Sequence, residues 1–187
     1  MAERSSLVRL EKEFDVEVDW RGFELHPETP KGGISLTQLY PTARMKDIRE
    51  YMENFASGFG IHDMQTHERL PNTRRALAMA EFARDKGKLS TFRELAMQAY
   101  WKDGKDLEND QDLAELATRA GLDPTAAIEA TNSPKYLQRV DALREESYAM
   151  GITGIPTFVI GNERVVGCQP YEALASTARE AGAVSKE

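Results

Sequence analysis

The stretch "GITGIPTFVIGNERVVGCQP" occupies residues 151–170, and its reading decides the fold. Gly151, Thr153, Gly154 and Ile155 crowd a tight turn ahead of Pro156. An X–Pro bond is the main place where a cis peptide is cheap, so a cis bond is expected between Ile155 and Pro156. Proline is tolerated at a strand's first residue, where no ladder donor is needed. "PTFVIGN" then gives a β-branched and aromatic run, "GNE" a short hairpin turn, and "RVVGC" a second strand. Pro170 opens a closing helix, "PYEALASTAREAG", that ends at Gly182. A cis turn leaves the backbone of Ile155 facing outwards, where an extended peptide can add as a strand.

Upstream, everything from about Arg44 to Met150 reads as helix. "ARMKDIREYMENFASGF" is one; "PNTRRALAMAEFARDKGK" is another, with Asn72 placed to cap it and Gly87 to end it. "STFRELAMQAYWKDGK" starts at Ser90, and "NDQDLAELATRAGL" closes at Gly121. Two more helices open on a capping residue followed by proline: Asp123-Pro124 and Ser133-Pro134. Ahead of this block, Leu7, Leu10 and Phe14 recur at three and four residues, which predicts a short amphipathic helix beginning at residue 2 or 3. Alternating Val16, Val18 and Trp20 in "VEVDWRGFEL" predict a strand.

The order is helix, strand, a helical block, strand, strand, helix. Strands at both ends must combine into one sheet. The expected class is α/β, with residues 1–40 and 151–187 forming one domain and residues 41–150 a helical domain inserted into it. No strand precedes the first helix, so the usual strand–helix–strand crossover lacks its opening member. That leaves Val16–Leu25 and Thr157–Gly167 without a shared neighbour. A second chain or a rearranged homodimer is expected to fill the gap.

Bulk properties exclude several classes. The 187 residues carry a net charge of −7, 41% hydrophobic and 29% charged residues, which is ordinary for a globular protein. The acidic balance and scattered basic residues argue against nucleic acid or an anionic membrane as partner. No apolar run is long enough to span a bilayer, and the N-terminus lacks a signal-peptide pattern. A single cysteine permits no internal disulfide, which suits a cytoplasmic location.

The turn motif has a family behind it. "GITGIPTFVIGNERVVGCQPYEAL" resembles the C-terminal half of DsbA-family thioredoxin-fold proteins, with their Gly-Val-x-Gly-Val-Pro-x-Phe turn, short hairpin and Gly-Ala-Gln-Pro before the last helix. "VEVDWRGFELHPETP" is similar to the strand and loop of the FrnE-like branch. "ERLPNTRRALAMAEFARDKGK" and "AYWKDGKDLENDQDLAELATRAGLD" look like parts of its helical insertion. The resemblance implies a thioredoxin-like core, with Thr153, Gly154, Ile155 and Pro156 holding a peptide or protein thiol or disulfide. It also implies a Cys-x-x-Cys at the N-terminus of the first helix, where helix donors stabilise the attacking thiolate.

No Cys-x-x-Cys occurs in these residues. Counting back from Leu10-Glu11, the pair is expected just before Met1. Either Met1 is an internal methionine of a longer protein or the chain is a variant without the catalytic site, and the reading frame upstream distinguishes the two. Cys168, where the family has alanine, is the one thiol in reach of catalysis; a small, inert residue is the commoner fate of an isolated cysteine. His62 and His67, five apart in "HDMQTH", do not share a helix face, so no metal site is expected. His26, in "FELHPE", falls in a loop the family places near its active end. "DGKDLENDQD" lacks the sixth-position glycine of a calcium loop and reads as a solvated linker. No cofactor is expected for a thiol–disulfide oxidoreductase. The alternatives are a glutathione-dependent isomerase or transferase of the 2-hydroxychromene-2-carboxylate isomerase or kappa class, and a non-catalytic peptide-binding module.

Overall fold

The computed structural model describes residues 4–58, 61–65 and 67–186. The expected helix starts at residues 2 and 3, and the Phe59 end of another predicted helix, lie outside these residues. The chain divides into two units, one of Met1–Arg21 with Glu146–Glu187, the other of Gly22–Glu145.

The first unit holds α1 (Arg4–Glu13), a hairpin of β3 (Thr157–Ile160) and β4 (Glu163–Val166), and α9 (Tyr171–Glu180). The hairpin is antiparallel, pairing Thr157 with Val166 and Ile160 with Glu163. Its loop is Gly161-Asn162, with φ +61° at Gly161 alone among the two, as a II′ turn requires. Leu7, Leu10 and Phe14 of the first helical stripe are buried against Tyr171, Leu174, Ala175 and Ala178 of α9. Tyr171 donates its hydroxyl hydrogen to Glu13, and Arg9 lies 3.8 Å over the Tyr171 ring. This bond and the nearby Arg9 hold the Glu13 carboxyl below the usual carboxylate range.

Val16–Leu25 is not a strand. The alternation is real: Val16, Val18 and Trp20 pack half-buried on the α1–α9 cluster, while Glu17, Asp19 and Arg21 are exposed. Period-two patterning sets which face a side chain takes, whereas a strand also needs a backbone partner. Among the described residues no strand is assigned before Ile34. The division of the chain also falls earlier than residue 40, between Arg21 and Gly22.

The second unit is helical. Its helices are α3 (Met45–Ser57), α4 (Arg74–Asp85), α5 (Leu89–Trp101), α6 (Asp110–Arg119) and α7 (Pro124–Ala130), with a four-residue turn of helix, α2 (Leu36–Leu39). The greater part of α8 (Pro134–Ala149) completes it. The core gathers Met79, Phe92, Leu113, Leu116, Ala127 and Val140. Asp123 caps α7 through Ala126 N–H at 2.7 Å, ahead of Pro124. Asn109 caps α6 by accepting from Gln111 and Asp112. Asn72 accepts from Arg74 N–H at 3.0 Å, while Thr73 occupies the position before the first helical residue.

A two-stranded clip absent from the sequence reading joins β1 (Ile34–Ser35) to β2 (Arg69–Leu70). Gly33 enters it at φ +70°, where a Cβ would stand 2.6 Å from the Leu70 carbonyl oxygen. Two-residue strands carry no periodicity to read. Glu108 ties the neighbouring segments together, accepting from Gly32 N–H at 2.7 Å and Asn72 N–H at 2.8 Å.

Acid is expected to loosen this unit. Hydrogen bonds from Arg139, Lys135 and Tyr136 hold the Asp85 carboxyl well below its ordinary range, and Arg74 does the same for Asp141. Groups with depressed native values contribute stability that is complete above about pH 4 and lost as pH falls through those values. Melting temperatures recorded downward from about pH 5 should fall, and less steeply for Asp85→Asn than for the native chain.

Candidate functional site

The turn at 151–156 is built from both sides. Gly151 ends α8 at φ +70°, and Ile152 N–H returns to the Ser147 carbonyl at 2.9 Å, the closure of a helix that stops in the left-handed region. Arg164, on β4, donates to the carbonyl of Met150. A cation there also complements the negative end of α8. A Cβ at position 151 would lie 2.5 Å from the Arg164 guanidinium, so both φ and the close approach demand glycine.

Beyond Gly151 the chain opens outward. Thr157 donates its hydroxyl hydrogen to the Gly154 carbonyl at 2.7 Å, which closes the turn over its own start. The Ile155–Pro156 peptide is cis. Ile155 at its tip is 55% exposed. A methyl at Gly154 would meet no atom within 4 Å. Thr153, Gly154, Ile155 and Pro156 thus form one surface feature with an apolar tip and room beside it.

Cys168 belongs to the same neighbourhood through the backbone. Gly167 N–H donates to the Pro156 carbonyl at 2.8 Å, and Gln169 Nε2 to the Val166 carbonyl at 2.8 Å. Between these two anchored residues the half-buried Cys168 has little freedom. Pro170 takes the capping position ahead of α9 (φ −55°, ψ 149°), so the helix begins at Tyr171, one residue later than expected.

The other candidates are engaged elsewhere. His26 Nδ1 lies 3.2 Å from Glu28, exposed, and His62 Nδ1 is 3.3 Å from Ser57 Oγ. His67 stacks on Tyr100 at 3.9 Å and donates from Nε2 to the Tyr100 carbonyl at 2.7 Å. Burial pushes the Tyr100 hydroxyl up to about 12, which removes it from acid–base chemistry near neutrality. The Asn72 amide donates to the Thr29 carbonyl at 2.6 Å, so this side chain serves the fold. Sequence reasoning missed Arg164 and Gln169, the two side chains that fix the turn's flanks. Nothing in "NERVV" distinguishes Arg164 from any exposed strand charge.

With this geometry in view, the family is plain. The model of the DSBA-like thioredoxin domain matches residues 2–179, and the chain belongs to that family. Its fold is the α/β thioredoxin-like one, carrying a large helical insertion. The protein YwbO of Bacillus subtilis (strain 168) is 27% identical over 160 residues, covering 82% of this chain and 76% of its own length. A probable DsbA oxidoreductase from Streptomyces coelicolor superposes with a TM-score of 0.83 at 24% identity, over 96% of this chain and 83% of that one. A 2-hydroxychromene-2-carboxylate isomerase superposes with a TM-score of 0.75 at 16% identity, over 96% of this chain and 88% of its own. No helix among the described residues is long and apolar enough to cross a membrane.

Proposed function

We propose that this chain is a cytoplasmic, FrnE-like member of the thiol–disulfide oxidoreductases, and that peptide thiols or disulfides dock on the Thr153–Pro156 turn. The observation that carries this reading is the turn itself, fixed on both flanks by backbone acceptors yet presenting an exposed Ile155. Apolar contact there and strand-like backbone pairing suit an extended peptide. Thiol–disulfide exchange needs a thiolate attacking one sulfur while the other leaves, and the dithiol for a full cycle is not among these 187 residues. Cys168, held between Gly167 and Gln169, is assigned no catalytic part. The single cysteine supports the reducing compartment.

Two measurements test this. A fluorescent peptide carrying a mixed disulfide between apolar residues should bind, and Ile155→Asp should weaken binding by about tenfold with an unchanged melting temperature. An unchanged affinity would overturn the assignment of the turn. Insulin reduction by dithiothreitol should run at its uncatalysed rate in the presence of the chain, and Cys168 should stay unmodified by oxidised glutathione; acceleration or adduct formation would give Cys168 a role.

The likeness to the isomerase supports a second reading, glutathione-dependent isomerisation or transfer on the same fold. Glutathione-dependent turnover of 2-hydroxychromene-2-carboxylate would replace the first reading with this one.

A further inference from the structure

The helix α1 ends without a cap of its own. Phe14, Asp15 and Val16 follow it, with no glycine or asparagine to take the left-handed conformation that commonly closes a helix. Phe14 N–H returns to the Leu10 carbonyl at 2.9 Å, but later carbonyls of the last turn need donors from elsewhere. Lys186 supplies two of them. Its backbone N–H donates to the Glu13 carbonyl at 2.8 Å, and its ammonium to the Glu11 carbonyl at 2.8 Å. A cation there also complements the negative end of the helix.

The segment that delivers Lys186 starts from a firm base and is itself lightly held. Gly182 closes α9 at φ +91°, donating to the Arg179 carbonyl, while Ala183 N–H donates to that of Ala178, both at 2.9 Å. The chain then runs antiparallel to the end of α1, with Ser185 bridged to Phe14. Asp15 N–H donates to the Val184 carbonyl at 2.8 Å. This bond and the one from Lys186 N–H flank the bridge, so Phe14 and Ser185 form a non-bonded pair. Ser185 therefore turns its own N–H and C=O away from α1. Phe14 is 1% exposed under the bridge, whereas Val184 is 69% exposed, and Ser185 and Lys186 are exposed too.

We infer that residues 184–186 are a strap that opens and closes on its own, and that in closing it caps α1 and shuts the backbone edge beside Phe14. Hydrogen bonds without apolar burial mark segments that open locally, at a free energy well below that of global unfolding. Opening withdraws two donors from the last turn of α1, so that turn frays together with the strap. Leu7, Leu10, Leu174 and Ala178 stay packed meanwhile, because none of their burial comes from residues 184–186. The strap thus decides whether α1 ends at Glu13 or about one turn earlier.

Amide hydrogen exchange of the full chain, resolved by residue with nuclear magnetic resonance, tests this. The Asp15 and Lys186 amides should share one protection factor, at least about a hundredfold below that of Ala175 in α9. Lys186→Pro removes the N–H and the ammonium together. It should lower Asp15 protection about tenfold and leave Ala175 unchanged. Ser185→Pro removes an N–H that the bridge does not use, so Asp15 should exchange as in the native chain. Equal protection of Asp15 and Ala175 in the native chain would overturn the inference, since residues 184–186 would then open only with the whole unit. An Asp15 amide indifferent to Lys186→Pro would also overturn it, as would equal losses in the two proline variants. Should either variant misfold, the native protection factors decide alone.

Discussion

Glu24→Ala is expected to destabilise the Gly22–Glu145 unit by about 3 kcal/mol. The carboxylate is 2% exposed, and its Oε2 accepts from Arg74 at 3.1 Å and from Arg144 at 2.5 Å. Arg74 also grips Asp141 through both terminal nitrogens, at 2.8 and 2.7 Å, and Arg144 reaches Asp141 at 3.0 Å. Two cations thus share two anions. Removing Glu24 leaves both guanidinium groups, 20–30% exposed, competing for a single carboxylate in a poorly hydrated site. Breaking one member of such a network costs more than the network contributes over an apolar substitute. Glu24→Gln keeps the shape and one acceptor, so its loss should be about half as large. Urea unfolding of the three proteins measures this; a change below about 0.5 kcal/mol for the alanine variant would mean the arginines find other partners.

Leu174→Ala should cost a similar amount, about 3 kcal/mol, in the other unit. Leu174 is fully buried at the centre of a cluster of seven buried residues. So small a core has few contacts to compensate for a cavity, and a unit of that size is only marginally stable. Hydrogen exchange followed by mass spectrometry should show lost protection in α1, the β3–β4 hairpin and α9, with α4, α5 and α6 unaffected. Uniform loss along the whole chain would show that the two units unfold as one.

The legible parts of the sequence were those whose signal is local. Asp123-Pro124 fixed a helix start because an acceptor and a pre-set φ act within three residues. Gly151, Gly87 and Gly182 ended helices because only glycine takes the left-handed conformation cheaply. The turn at 151–156 was readable from its motif for the same reason. Val16–Trp20 was half legible: the side chains alternate as predicted, but ladder pairing depends on a distant partner that a local pattern cannot supply. Glu24, Arg74, Asp141 and Arg144 were illegible altogether, since Glu24 is separated by 50 residues from Arg74 and by 120 from Arg144. The clip at Ile34–Leu70 was missed because two residues make no pattern.

Arg164 and Gly167 have one more implication, which concerns length. Arg164 binds the carbonyl just before the turn and Gly167 the carbonyl of its last residue, while both sit on the same hairpin. The span from Met150 to Pro156 is therefore measured against a rigid gauge. Side chains at Thr153, Gly154 and Ile155 are free to vary in kind without disturbing either anchor. Adding or deleting a single residue there would put the turn out of step with the hairpin, so the turn can vary by substitution but not by insertion.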